Sequence, residues 1–239
     1  MSDFNNVLLL DIGNTFVHWR YRQSEGSSSV DDLQLENLPI DLADISQVFY
    51  AAVADSSRWV HGLGPLGHVQ RIRCERPLLE LLKSEYESLQ LGIDRWLAML
   101  GACSVHGVQD PALIVDVGTA VTFDVLKGGV HRGGWICPGL YTWSASITQH
   151  TNIAVPHKRE PQYSLGLNTI DAIAHGWMVS MTAIIRQTMA DQSLKKLVIT
   201  GGHGNVFRAS FPEADYFNNL VLDGLSVWAR EYIRRGEIP

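Results

Sequence analysis

The patterned part of the chain begins with VLLL at residues 7–10, four apolar residues without polar alternation. Such a run marks a strand buried on both faces. Asp11-Ile12-Gly13-Asn14 then supplies turn chemistry and FVHWRY returns in β-prone residues, which predicts a hairpin with glycine in its turn. The Ser-rich stretch SEGSSSVDD, residues 24–32, reads as a mobile loop. IDLADISQVFYAAVAD, residues 40–55, predicts a short helix followed by a strand, and a glycine-rich stretch, HGLGPLGH, follows at 61–68. ERPLLELLKSEY, residues 75–86, predicts a helix with Pro77 near its first turn and Leu78, Leu79, Leu81 and Leu82 toward the core. DRWLAMLGACSVHG, residues 94–107, predicts another, ended by Gly107.

The second half begins near Pro111. Residues 112–139 read as strand, turn, strand, a Lys127-Gly128-Gly129 turn, and strand. TIDAIAHGWMVSMTAIIRQTMAD, residues 169–191, is a long apolar helix, and KKLVIT is a strand closed by Gly201-Gly202. Residues 218–235 read as a short strand or loop running into an amphipathic helix. Strands in clusters alternate with helices in both halves, so the fold class is α/β. The pattern also repeats: LLLDIGNT at 8–15 returns as LIVDVGTA at 113–120. Each half starts with a buried strand, a glycine turn and a returning strand. This predicts a duplicated domain, residues 1–108 and 109–239, whose two acidic turns face one nucleotide cleft.

Composition narrows the classes. A hydrophobic share of 46% with 18% charged residues is ordinary for a globular protein. A net charge of −6 leaves no basic surplus for phosphate backbones, which argues against nucleic acid as a partner. Cys74, Cys103 and Cys137 have no CxxC spacing, so neither a zinc site nor a disulfide framework is expected. No stretch reaches the roughly 20 apolar residues of a membrane helix. MSDFNN lacks the features of a secretory leader, and a cytoplasmic protein is expected. The seven Trp residues are expected in the core, Trp96 and Trp135 among them.

The repeated turn has a chemical reading. Glycine after a strand lets backbone N–H groups approach phosphate oxygens. Asp beside it repels phosphate but can hold the metal ion that bridges phosphates. Asn14, Thr15 and Thr119 add side-chain donors, while neither the Walker P-loop pattern nor G-x-G-x-x-G after a strand is present. In LGIDRW, Asp94 and Arg95 stand at a helix start after Gly92. That pair reads either as ordinary helix N-terminal residues or as a proton acceptor beside an anion holder.

Together these residues resemble the type III pantothenate kinases. The matching pieces are DIGNT (11–15), LGIDRW (91–96), DVGTAVTFDV (116–125), GGWICPGL (133–140), HT (150–151), NTIDAI (168–173) and ITGG (199–202), in the family's order and spread over nearly the whole chain. The resemblance implies two ribonuclease H-like domains of the actin-like ATPase fold around a nucleotide cleft. It implies a homodimer that phosphorylates pantothenate with ATP, using magnesium and a monovalent cation, potassium or ammonium. By position, Asp11, Ile12, Gly13, Asn14, Thr15, Phe16, Val17 and His18 match the first ATP-phosphate segment, and Gly118 with Thr119 a second. Asp94 matches the proton acceptor. Gly92, Ile93, Asp94 and Arg95 match the pantothenate-binding run, joined by Tyr86, His150, Thr151 and Thr169. Asp116 matches the monovalent-cation ligand, and Asp11 is the magnesium candidate. YESLQLG lacks the Tyr-Pro that the family usually has before LG, and His203 stands where an acidic residue is frequent. The rival readings are another small-molecule kinase of this fold, against which LGIDR and the HT and NT pairs argue, and a non-catalytic regulatory homologue. A regulator of that kind would be expected to have lost Asp11, Asp94 or Asp116, and all three are present.

Overall fold

A computed structural model describes residues 4–30, 40–53, 70–75, 77–78, 80–87, 90–109, 111–151 and 160–236. In chain order the elements are strands β1 (Val7–Ile12), β2 (Phe16–Tyr21), β3 (Ser24–Ser29), β4 (Gln47–Ala52), β5 (Gln70–Arg73) and the two-residue β6 (Lys83–Ser84), then helix α1 (Ile93–Ser104). There follow β7 (Ala112–Val117), β8 (Ala120–Leu126), β9 (Val130–Pro138), helices α2 (Leu140–His150) and α3 (Thr169–Asp191), β10 (Lys196–Thr200), β11 (Asp215–Tyr216) and helix α4 (Leu220–Arg234). The chain divides into two compact units, residues 1–107 with 219–239 and residues 108–218.

The duplication expected from the sequence is written into the strand order. In the first unit the sheet runs β3-β2-β1-β4-β5. β1 is antiparallel to β2 and parallel to β4, β2 is antiparallel to β3, and β4 is parallel to β5. Within the second unit the strands run β9-β8-β7-β10-β11 with the same senses. An antiparallel three-strand meander continued by two parallel strands thus occurs twice.

Each sheet places alternate residues on opposite faces. In the first unit Leu8, Leu10, Ile12, Val17, Trp19 and Tyr21 form one core with Ile45 and Val48. The other face meets α1 and α4, where Phe49 makes edge contacts with the rings of Trp228 and Tyr232 at 5.9 and 5.8 Å. In the second unit Val115, Val117, Val121 and Phe123 pack against Trp177, Met178, Met181 and Ile185 of α3. Asn168 caps α3 by accepting from the Asp171 N–H at 2.9 Å and donating to the Asp171 carboxylate at 2.8 Å, a reciprocal box that sets where this helix begins.

Three elements and one residue differ from the sequence expectation. Ser24–Ser29 is a strand in full register with β2, not a loop. It lies at the sheet edge, where backbone pairing suffices and polar side chains remain half-exposed. The described residues of 75–86 do not form a helix. They make one turn, closed by Leu81 N–H to Leu78 C=O at 2.8 Å, and then extend into β6. The Leu82 carbonyl there accepts from the Trp96 indole at 3.1 Å. Helix α2, which has no buried residue, carried no apolar periodicity to announce it. Trp96 is buried as expected, but Trp135 is 47% exposed on β9. The stretch HGLGPLGH lies outside the described residues.

The last helix also changes sides. The sequence expectation grouped residues 219–239 with the second half, whereas they cluster with residues 1–107. The reason is a pair of glycine notches. A Cβ on Gly101 of α1 would strike the Leu220 carbonyl, and one on Gly224 of α4 would strike the Leu97 carbonyl, so the helices touch backbone to backbone. Asp223 adds an ion pair to Arg20 of β2 at 2.7 Å and a hydrogen bond with His106 at 2.6 Å.

Candidate active site

The first turn candidate is the loop between β1 and β2. It is closed by Gly13 N–H to Phe16 C=O at 3.0 Å and backed by Val30 N–H to Thr15 C=O at 2.8 Å. Asn14 and Thr15 are exposed, and Phe16 is 45% exposed. Ile12 and Val17 point into the core, so any contact they make with a ligand runs through their backbone. Asp11 and His18 sit directly opposite each other across the hairpin, on the other face. Burial pushes the His18 imidazole below its usual range, and Glu25 on β3 opposes this in part.

The start of α1 holds the second group. Gly92 occupies the N-cap position, Ile93 packs into the core, and Asp94 is the acidic residue of the first turn. Asp94 is half-buried and its Oδ1 accepts the Arg95 N–H at 2.8 Å. A Cβ at Gly92 would fall 2.6 Å from that same oxygen, so a glycine here leaves room for the carboxylate. Arg95 is only 5% exposed, and its guanidinium lies over the Tyr86 ring at 5.3 Å. The structure therefore brings Tyr86, Arg95 and Asp94 into one neighbourhood despite the missing Tyr-Pro. A half-buried carboxylate at a helix start can accept a proton from an alcohol, and a guanidinium over a phenol ring can hold an anionic substrate.

The third group lies at the ends of β7 and β10, which run parallel with Asp116 paired to Thr200. Gly201 has a positive φ of 88°, and its missing Cβ would collide with the Asp116 carboxylate and the Val117 backbone. Only glycine brings this turn against Asp116. His203 N–H donates to the Val117 carbonyl at 3.1 Å. The Gly118-Thr119 turn is further held by the start of α2: Gly139 N–H donates to the Thr119 carbonyl at 2.9 Å, and the Thr142 hydroxyl to the same oxygen at 2.8 Å. Neither Gly139 nor Thr142 is singled out by sequence reasoning; Gly139 lies within GGWICPGL, which is its signal, and Thr142 stands two residues beyond it. His150 ends α2 and is exposed, Thr151 follows it with its hydroxyl on the Ile147 carbonyl at 2.7 Å, and Thr169 is the exposed first residue of α3.

Among the described residues no group of three or more His, Cys, Asp or Glu side chains is placed to hold a metal. Asp11 and Asp116 are single carboxylates. They fit hard cations that complete their shell with carbonyls, water and nucleotide phosphates, and they do not fit a dedicated transition-metal cage.

Comparison with known proteins gives a consistent family. The model of type III pantothenate kinases matches residues 66–191. A type III pantothenate kinase from Pseudoalteromonas translucida is 33% identical over 230 residues, covering 92% of this chain and 95% of its own. One from Helicobacter hepaticus is 32% identical, covering 92% and 96%. Among solved structures, a protein from Campylobacter jejuni described as of the Baf family of transcriptional activators superposes with a TM-score of 0.66 at 22% identity, over 95% of this chain and 99% of its own. A protein from Sinorhizobium meliloti described as a 2-dehydro-3-deoxygalactonokinase gives 0.57 at 12% identity, over 94% and 96%. At those identities the superpositions speak for the fold alone, the duplicated ribonuclease H-like architecture of actin-like ATPases and sugar kinases.

Proposed function

The chain belongs to the type III pantothenate kinase family, and from that premise we propose that it transfers the γ-phosphate of ATP to pantothenate, giving 4′-phosphopantothenate in the first step of coenzyme A synthesis. The observation that carries this reading is the start of α1, where the half-buried Asp94 carboxylate of LGIDRW accepts the Arg95 N–H and the Arg95 guanidinium lies over the Tyr86 ring. Asp94 accepts the proton of the primary hydroxyl as it attacks phosphorus in line. A carboxylate is a weak base for an alcohol, so this contributes about 10²–10⁴ in rate, and alignment of the hydroxyl supplies much of the rest.

Pantothenate carries a carboxylate. Arg95 supplies the charge that complements it, with Tyr86, His150, Thr151 and Thr169 as further contacts. The ATP phosphates are met by the backbone of the Asp11–His18 hairpin, where Asn14 and Thr15 stand exposed, and by Gly118 and Thr119. Asp11 holds magnesium and Asp116 the monovalent cation. When bound, these cations neutralise charge on the transferring phosphoryl group.

A homodimer accords with the exposure of Leu165, Leu167 and Ile136, at 90%, 94% and 61%. No helix among the described residues is long and apolar enough to cross a membrane, and the reading places the reaction in the cytoplasm. The deciding experiment is incubation with ATP, magnesium, potassium and pantothenate, followed by mass spectrometry. A product heavier by one phosphoryl group supports the reading. ATP consumed with a sugar instead, or no turnover at all, ends it.

A further inference from the structure

The first unit contains a cavity that the proposed chemistry does not use. It has a volume of about 910 Å³, and its walls include Phe4, Asn6, Arg20, Arg22, Ser226 and Arg230. It opens at the start of β1 and at the β2–β3 turn, the end of the hairpin opposite Asp11 and Gly13. The five steps of strand from Val7 to Ile12 put the two ends about 17 Å apart.

Three arginines line this cavity, and no carboxylate does among the described residues. Each guanidinium is held in place by its neighbours, some on the wall and some behind it. Arg20 is gripped by Glu25 at 2.8 Å and Asp223 at 2.7 Å. Arg22 donates to Asp44 at 3.0 Å, to the Asn5 carbonyl at 3.1 Å and to the Asn6 side chain at 3.2 Å. The Arg230 guanidinium stacks over the Phe4 ring at 3.9 Å. Groups fixed in this way lose little freedom on meeting a ligand. Glu25, Asp44 and Asp223 balance the charge but stay off the wall.

The backbone makes a second, independent point. Arg22 has a positive φ of 53° at the first position of the two-residue β2–β3 turn. Glycine or asparagine suits that position, and another side chain is strained there. A strained arginine that reaches into a cavity is an outlier that calls for a role.

We propose that this cavity is a second ligand site, which takes a small molecule bearing a di- or polyphosphate. Guanidinium forks match the geometry of phosphate oxygens, and several around one space call for a multiply charged group. Polar Asn6 and Ser226 serve the remaining oxygens, and Phe4 offers a flat apolar surface to an attached ring. The carboxylates that share the arginines keep the affinity modest, about 0.1–1 mM at low salt.

The test uses inorganic pyrophosphate as probe. In magnesium-free, low-salt buffer the unmodified protein should show protection from hydrogen exchange at residues 4–9 and 20–24 when pyrophosphate is added, and protection confined to residues 11–18 would overturn the site. In calorimetry the Arg22→Gln/Arg230→Gln variant, with its Tm checked first, should lose about tenfold or more of this component and keep any binding at the first hairpin. An isotherm identical to that of the parent protein counts against the proposal. So does citrate binding the same residues as tightly as pyrophosphate, because phosphate selectivity would then be absent.

Discussion

The two glycine hairpins begin alike and end differently. Both follow a buried strand with Asp-x-Gly, and both lie between the first two strands of the same five-strand topology. The loop after β1 has three residues, Gly13 to Thr15, and leaves Asn14 and Thr15 exposed. The loop after β7 has two, Gly118 and Thr119, and is braced by Gly139, Thr142 and the Gly201 turn. Duplication has kept the strand-turn-strand unit and changed its support. The open copy suits backbone contact with a phosphate chain that must come and go. The braced copy suits a positioned carboxylate, because the Gly201 turn packs so close to Asp116 that a Cβ would not fit between them.

If neither hairpin supplies the base, the sharpest loss lies outside both. Asp94→Asn should lower kcat at least about a hundredfold while leaving ATP and pantothenate affinity nearly unchanged, measured by steady-state kinetics and direct titration. Near-normal turnover would move the proton acceptor elsewhere. The next effect separates the two copies. Gly201→Ala places a methyl against Asp116 at a positive φ and should cost about 2–3 kcal/mol in denaturant unfolding. Gly13→Ala meets only the Phe16 carbonyl at 3.0 Å and should cost less than about 1 kcal/mol. Equal losses would erase the distinction between braced and open.

Thr142→Val removes the hydroxyl on the Thr119 carbonyl and should cost about 0.5–1.5 kcal/mol, with weaker activation by potassium. Unchanged potassium response would show the brace to be structural only. The smallest effect is a pH slope in the open copy. His18 is depressed in the folded state, so the unfolded chain takes up a proton first as pH falls. The stability it confers is complete above pH 6.5, its ordinary value, and falls away as pH drops from there through the lower folded value. His18→Asn should flatten that segment of a Tm-against-pH curve, and an unchanged slope would remove His18 from the account.

Much of this architecture could be read before any coordinates. The buried runs at β1, β4, β7 and β10 and helix α3 carry their own periodicity, and the Lys127-Gly128-Gly129 turn has the two positive φ values its glycines promise. β3 was hidden because an edge strand need bury nothing, and SEGSSS has no apolar alternation to show. The leucines of residues 75–86 imitate a helix face, but contacts such as that between Leu82 and Trp96 draw the segment out instead. The site residues were legible as motifs. Their braces were not, because Gly139, Thr142 and Gly201 act through distances to residues far away in the chain. The seat of α4 depends on Gly101 and Gly224 meeting across more than half the sequence, a fact no local window contains.

That seat has a consequence for how the protein is made. Residues 108–218 form an unbroken unit that can close as soon as it has left the ribosome, whereas the unit begun first waits for its closing helix, which is synthesised only after residue 218. Until then Phe49 lacks Trp228 and Tyr232, and the α1 notch at Gly101 stands open. A nascent chain stalled a few dozen residues short would carry a finished rear half behind an unfinished front.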